Sequence, residues 1–304
     1  MDTIGIDQID VNDRTYCISY PLEDDLLTSS IARFGILVPL GLTERKPPTL
    51  VTGFKRMEAA RRLGINRVPH VFLDLDDRGA LLASIGDNMK RSLNTVEKAC
   101  CVDKMDTIGF PKEDIYAMAR LLGLPARGET LRTARAMNSM EDGAKALVAR
   151  HNLPLPVVEE LLWFDAEELA SIVRLVGSFR STTGLFREVV RSFALLKTKK
   201  GRIDFQELEK ETDMEGLRQS LKRATHPLLC RLEGRLDRIR ETSDLPPHIR
   251  VKVDPVFEKE SIDIQVRARS QGEVDEALER LEALSQQGFF RSIFELTHGS
   301  ADRN

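Results

Sequence analysis

A chain of 304 residues, 41% hydrophobic and 31% charged, carries enough apolar material for two or three domains and a sizeable core. No apolar run approaches the ~20 residues that cross a bilayer, and the N-terminal MDTIGIDQID has neither the basic nor the apolar region of a secretory signal, so a cytoplasmic protein with no membrane contact is expected. The net charge of -3 and pI near 6.1 do not suggest indiscriminate nucleic-acid binding, although a nucleic-acid footprint needs only a local basic surface, and Cys17, Cys100, Cys101 and Cys230 lack the spacing of a disulfide framework or a zinc site.

In chain order, Ile4 to Ile18 reads as strand, SSIARFGI as a helix closed by Gly35, TLVTG as a strand and VPHVFLDL as another. Between the last two lies LVTGFKRMEAARRLG, which turns from strand to helix at Gly53. The first turn of a helix offers unpaired N–H groups and a positive dipole end, so Gly53, Lys55 and Arg56 suit a phosphate. The same residues also suit a tight turn followed by a solvated cationic face. A helix from near Arg78 ends in IGDNMKR, where Asp87 and Asn88 could supply hard oxygens and Lys90 and Arg91 could neutralise phosphate, or where a helix simply ends among exposed polar groups.

From Asn94 to about Lys200 the period is helical, as in Ile115, Met118, Ala119 and Leu122. Within this region PKEDIYAMARLLGLPARGETLRTARAMN has the order helix, glycine-containing turn, helix. That is the order of a DNA-binding helix-turn-helix, and equally of a structural helical hairpin. Trp163 and Phe164 read as core anchors rather than a base-stacking platform, and His70 and His151 as ordinary surface or core histidines. Leu217 to Arg240 is the most basic segment, with seven cations against two carboxylates, fitting either phosphate contacts or snorkelling arginines. After Leu245, PPHIRVKV and SIDIQVRA form an expected hairpin, followed by a helix near Glu273 to Gln286 and FFRSIFEL as a candidate third strand.

The fold class expected is α+β. Composition shifts near Asn94 and at KTKKGR give a mixed α/β domain at 1–93, a helical domain at 94–200, and a basic helical linker with a small ββα(β) domain at 201–304.

The order FGILVPL, LVTGFKRMEAARRLGINRVPHVFLDLDD, IGDNMKRSLNTVEKA resembles the N-terminal domain of the ParB family of chromosome and plasmid partition proteins. Those proteins show a G-[IL]-[LI]-x-P box, a G-E-R-R-x-R-A box, and an E-N-x-x-R box running into L-N-x-x-E-x-A. The resemblance spans Ile31 to Ala99 and continues faintly to about Glu160.

It implies binding of cytidine triphosphate (CTP) with Mg2+. Gly35 and Pro39 would wall the base, Gly53, Lys55, Arg56, Lys90 and Arg91 would hold phosphates, and Asp87 and Asn88 would hold the metal. It also implies that the second helix of the pair binds DNA through Arg127, Thr130, Arg132, Thr133 and Arg135, and that the C-terminal region forms a homodimer on the nucleoid.

The departures are Phe54 for the family's glutamate, Lys55 for arginine, Glu58 for arginine and Asp87 for glutamate. Phe54 can neither orient water nor take a proton, so at most weak CTP hydrolysis is expected, and Lys55 gives up bidentate geometry. Sulfiredoxins share the scaffold, but Phe54 stands where their thiol would be. Two other readings stand beside a nucleotide-switched DNA-binding protein. One is a nucleotide-dependent enzyme, such as a small-molecule kinase or phosphohydrolase, using Asp76 or Asp77 near Lys55 and Arg56. The other is an interaction scaffold with a vestigial pocket. No basic arm precedes the first strand, so a partner ATPase is not expected.

Overall fold

The short apolar runs near the N-terminus pair into one four-stranded sheet of order β1-β4-β2-β3. In the computed structural model, which describes residues 2–177, 179, 182–243 and 245–297, the elements in order are β1 (Thr3–Gly5), α1 (Asp25–Phe34), β2 (Leu40–Thr43), β3 (Leu50–Thr52), α2 (Phe54–Arg62), β4 (Arg67–Leu73) and α3 (Asp77–Asn88). β2 and β4 run parallel, with Leu40 opposite His70 and Leu42 opposite Phe72, while β1–β4 and β2–β3 are antiparallel. The parallel pair requires a crossover, and β3 with α2 supplies it.

Strand structure at the N-terminus ends at Gly5, well short of Ile18. The Asp10 carboxylate accepts from the N–H groups of Asn12 and Asp13, and Asp13 accepts from that of Thr15. These local turns compete with a sheet ladder. Ile9, Tyr16, Cys17 and Ile18 are nonetheless buried, so burial and not strand pairing explains their apolar character.

Side chains set the helix starts. Asp24, Asp76 and Asn94 accept from N–H groups of the first turns of α1, α3 and α4 (Thr95–Ile108), and Asn94 forms a capping box with Glu97. α2 differs, because Gly53 occupies its N-cap with φ 95° and no side chain caps it. A Cβ at Gly53 would stand 2.6 Å from Leu40 Cδ2. Left-handed backbone and close packing both demand glycine here, so Gly53→Ala is expected to cost about 2–4 kcal/mol, from conformational strain plus overpacking. A urea midpoint unchanged from the parent would contradict this.

The helices α4, α5 (Lys112–Leu121), α6 (Gly128–Asn138), α7 (Asp142–His151), α8 (Leu155–Leu161), α9 (Ala166–Gly177), α10 (Thr183–Lys200), α11 (Phe205–Leu208) and α12 (Met214–Thr225) follow. One hydrophobic core runs from Leu40, Phe54 and Ile85 into Cys101, Met105, Ile115 and Leu122, so packing is continuous through Asn94. The chain divides into two compact units, one reaching to Leu217 and one from Arg218 on. His151 stacks on Phe186 with centroids 4.2 Å apart, and His70 meets the edge of Phe72, both as packed histidines. Phe164 is buried as expected, but Trp163 is 65% exposed and is no core anchor. Phe164 lies inward with Lys197 over its ring, and Trp163, the residue before it, faces out.

The second unit contains α13 (Pro227–Glu241), the antiparallel hairpin β5 (Ile249–Val253) and β6 (Ile262–Val266), α14 (Gln271–Gln286) and α15 (Phe289–Thr297). The candidate third strand FFRSIFEL is helical. Phe289, Ile293 and Leu296 recur at helical spacing and are all buried, so the 3.6-residue period prevails over β propensity. Ile249 and Val251 of β5 are buried, whereas their cross-strand partners Val266 and Ile264 are 40% and 43% exposed. Among the described residues no helix is long and apolar enough to cross a membrane.

Candidate functional sites

The α2 N-terminus, the loop between α1 and β2 and the end of α3 meet through Arg56. Its Nη1 donates to the carbonyls of Val38 (2.7 Å) and Pro39 (2.9 Å), and its Nη2 donates to Asp87 Oδ2 (3.1 Å). Burial lowers the Arg56 pKa, with Asp87 pulling the other way. Lys55 Nζ lies 3.5 Å from Asp24 Oδ2, and the exposed Lys90 reaches Asp87 Oδ1 at 2.9 Å. Asp87 is therefore shared by two cations. Gly35, with φ 72°, ends α1 and opens the loop carrying exposed Leu37 and Val38, which flank Pro39. Arg56, Asp87 and Lys90 thus form one cluster tied to Pro39 O and next to Gly53, Lys55 is held by Asp24, Gly35 lies at the end of α1, and Lys90 is the most exposed of these cations.

Asn88 and Arg91 belong to a neighbouring network. Asn88 Oδ1 accepts from Ser19 Oγ (3.0 Å) and Arg91 Nη2 (2.9 Å), and its Nδ2 donates to Ser84 O. Arg91 grips Glu97 with both terminal nitrogens, at 2.8 and 2.5 Å. The Glu97 side chain is fully buried and also accepts from the backbone N–H groups of Tyr20 and Asn94. This hydrogen bonding raises the Arg91 pKa against the effect of burial. The sequence reading named neither Glu97 nor Ser19 as a site residue, although Glu97 is the glutamate of the matched L-N-x-x-E-x-A box.

A phosphate fits this chemistry better than a magnesium ion does. An anion could replace the Asp87 carboxylate as the shared partner of Arg56 and Lys90, beside an uncapped helix N-terminus and Lys55. Asp87 is instead neutralised by two cations and Asn88 Oδ1 already accepts two hydrogen bonds, so the expected metal pair does not fit as folded. Among the described residues no group of three or more His, Cys, Asp or Glu could hold a metal.

The carboxylates considered for an enzyme are misplaced. Asp76 caps α3, and Asp77 accepts from Tyr16 Oη at 2.7 Å and pairs with Arg45. Burial and Asp77 push the Tyr16 pKa up to about 12. Asp77 and Asp87 occupy opposite ends of α3, about 15 Å apart at 1.5 Å per residue, so Asp77 is remote from Arg56. Phe54, where the family's glutamate would be, is 2% exposed within the core. Glu58 pairs with Arg61 on its own helix.

The two expected helices of the DNA-reading pair are α5 and α6, joined through left-handed Gly123, and α6 packs on α4. Arg132 has a side chain 76% exposed and among the described residues pairs with Glu129 of its own helix, at 3.4 Å. Arg135, also exposed, is held by Asp106 at 2.6 Å, and Arg127 lies 3.8 Å from Glu159. Thr130 and Thr133 correct the sequence reading, because both are buried. Their hydroxyls bond to Pro125 O and Glu159 Oε1, which removes them from the exposed donors. In their place Lys112 and Tyr116 of α5 line one groove with Arg132 and Arg135. Sequence periodicity put Lys112 and Tyr116 on a helix but could not say which helix would face them.

No protein-family model matches the chain. It is similar in sequence to the probable chromosome-partitioning protein ParB of Vibrio cholerae, 24% identical over 171 residues that cover 54% of this chain and 56% of that one. It is also similar to the probable plasmid-partitioning protein ParB of Thermus thermophilus, 27% identical over 253 residues, covering 77% and 80%. The chain thus spans just over half the length of the Vibrio protein it matches. Among solved structures, a C-terminally truncated ParB from Caulobacter crescentus complexed with CTP-gamma-S is 23% identical and covers 57% of this chain and 97% of that one, with a TM-score of 0.25.

Proposed function

We propose that this chain, related in sequence to the ParB partition proteins, is a DNA-binding protein of the partition type, acting on the nucleoid and switched by CTP. The observation that carries the DNA reading is the exposed groove where Lys112, Tyr116, Arg132 and Arg135 of two successive helices come together, offering cations and an aromatic hydroxyl to phosphates and base edges.

The switch ligand would settle at α2. Its triphosphate would displace Asp87 from Arg56 and Lys90, and its base would lie along Leu37 and Val38. With Phe54 in the core, the position of the family's glutamate offers no group to activate water, so binding without efficient hydrolysis is the expected behaviour. A homodimer through the second unit would cover the half-open face of β6 and would present two copies of α6 to paired half-sites.

The test is duplex binding by the full chain and by Arg132→Ala/Arg135→Ala, with and without CTP. The double variant is expected to lose sequence preference by tenfold or more and to show a shallower salt dependence, by about 0.9 in log–log slope per lost phosphate contact. CTP should shift the parent's thermal midpoint upward. A parent that binds no duplex even at low salt would replace this reading with that of an interaction scaffold, a reading already favoured by the internal pairing of Arg56 and Arg91.

A further inference from the structure

Residues 14–23 form no strand, so their carbonyls take side chains as partners. Helices α3 and α4 supply them: Lys104 Nζ donates to Arg14 O (2.6 Å) and Thr15 O (3.0 Å), Ser84 Oγ to Tyr16 O (2.7 Å) and Cys100 Sγ to Cys17 O (3.5 Å). Side chains also tie α7 down at both ends. Asn152 Oδ1, past its C-terminus, accepts from Thr95 N and Oγ1 of α4 at 3.1 and 3.0 Å, and Tyr20 Oη donates to Asp142 O at its N-terminus, at 3.0 Å. Between those ties the α7 wall presents Gly143 and Ala146, which are too small to fill the gap. A cavity of about 1110 Å³ remains between residues 14–23, α4 and the junction of α6 with α7.

The charges facing this cavity do not cancel inside it. Asp103 accepts from Asn138 Nδ2 at 2.7 Å and lies 3.7 Å from Arg135, and Glu58 lies 3.6 Å from Arg61. The other two carboxylates on the wall, Glu23 and Asp142, are exposed to solvent. Arg14, Lys104 and Lys145 are half-buried and, among the described residues, pair with no carboxylate; Lys104 is held by carbonyl oxygens instead. Burial pushes the Cys17 thiol pKa up while Arg14 and Lys104 both pull it down, so these two cations act on one spot of the wall. Ile18, Val96 and Ile108 line the same space with apolar surface.

We propose that this cavity is a second ligand site that takes a small organic anion, a carboxylate or phosphate ester on an apolar body, with its charged group among Arg14, Lys104 and Lys145 and its body along Ile18, Val96 and Ile108. Half-buried cations without a counter-charge gain more from an anionic oxygen than exposed ones do, because less water screens them. The space is at the large end for small-molecule sites, which combine apolar walls with a few placed polar groups in the same way. An organic cation is the weaker fit, since the carboxylates free to receive it are already solvated. The site is separate from the one assigned above to CTP, because Arg56, Asp87, Asn88, Lys90 and Arg91 do not line it. A bound anion would join residues 14–23 to α7 across the gap that Tyr20 spans.

The proposal depends on neither the CTP nor the DNA reading, and calorimetric titration of the full chain tests it with octyl phosphate and octylamine as probes. Octyl phosphate should bind at one site per chain, and octylamine at the same concentrations should give no saturable heat. Lys145→Gln removes a cation that holds no other part of the fold in place, and Ala146→Phe fills the cavity from the exposed side of α7. Each should weaken octyl phosphate by about tenfold, the loss of one charge-assisted contact or of the space itself. Lys104→Gln is less informative, because it also releases the carbonyls of Arg14 and Thr15. If Ala146→Phe does not fold, Lys145→Gln decides. No saturable binding, equal binding of octylamine, or an affinity unchanged in the folded variants would overturn the proposal. CTP with Mg2+ should not compete with octyl phosphate; competition would give the cavity to the nucleotide, overturning both this site and the assignment of CTP to α2.

Discussion

Phe54→Glu, which places the ParB-box glutamate in this chain, is expected to destabilise the first unit by about 4 kcal/mol or more and to create no CTP hydrolysis. Phe54 is the first residue of α2, a position that favours a carboxylate through the helix dipole by about 0.3–1 kcal/mol. Against that, its ring is 2% exposed in the core shared with Leu40, Met57 and Ile85. Deleting such a ring costs about 3–5 kcal/mol, and burying a carboxylate without a full set of partners costs several more unless it is protonated. Arg14, whose guanidinium carbon lies 6.0 Å from the ring centroid, is the cation in ring contact among the described residues and offers partial relief. Since whole domains are stable by only about 5–15 kcal/mol, the change consumes a large share of the total. Urea unfolding and phosphate release with CTP check both halves. A variant with an undiminished midpoint that turns over CTP would mean that position 54 faces the ligand.

Arg91→Ala is expected to cost about 3–5 kcal/mol, because it strands a buried carboxylate. Glu97 holds the loop before α4 in place through the N–H groups of Tyr20 and Asn94, and among the described residues its charge is balanced by Arg91. The loss would blur any effect on nucleotide binding, so the informative variant is Arg91→Ala/Glu97→Gln. Removing both charges should restore most of the stability, because glutamine can still accept from the two backbone donors. CTP affinity measured in that pair then reports on Arg91 and phosphate without the folding defect. If Arg91→Ala unfolds within about 1 kcal/mol of the parent, the Glu97 network is not what anchors the loop.

Both variants involve residues whose meaning the linear sequence left open. Of the residues that the boxes from Ile31 to Ala99 singled out, Arg56, Asp87 and Lys90 form one ion-pair cluster at the end of α3, while Gly53 caps α2 and Lys55 pairs with Asp24. Residue type and spacing suffice to single them out, because a strand, a tight turn and a helix are local structures. Whether a cation is available to a ligand or already committed to a carboxylate depends on partners 31 residues away, as for Arg56 and Asp87, and no local pattern carries that information.

The sequence by itself determined that a helix ends at Gly35, that β5 and β6 pair, through their alternation, and that Gly53 must turn the chain, because period and φ preference act within a few residues, although it started the first helix at Ser29 where Asp24 in fact caps it one turn earlier. Only the tertiary structure decided that Thr130 and Thr133 face inward while Lys112 and Tyr116 join Arg132 and Arg135, that Trp163 lies outside, and that the last apolar run is a helix. Each of those outcomes turns on which face of an element meets a neighbour. That choice is made by packing between segments far apart in the chain, where burying one more apolar side chain outweighs any single local preference.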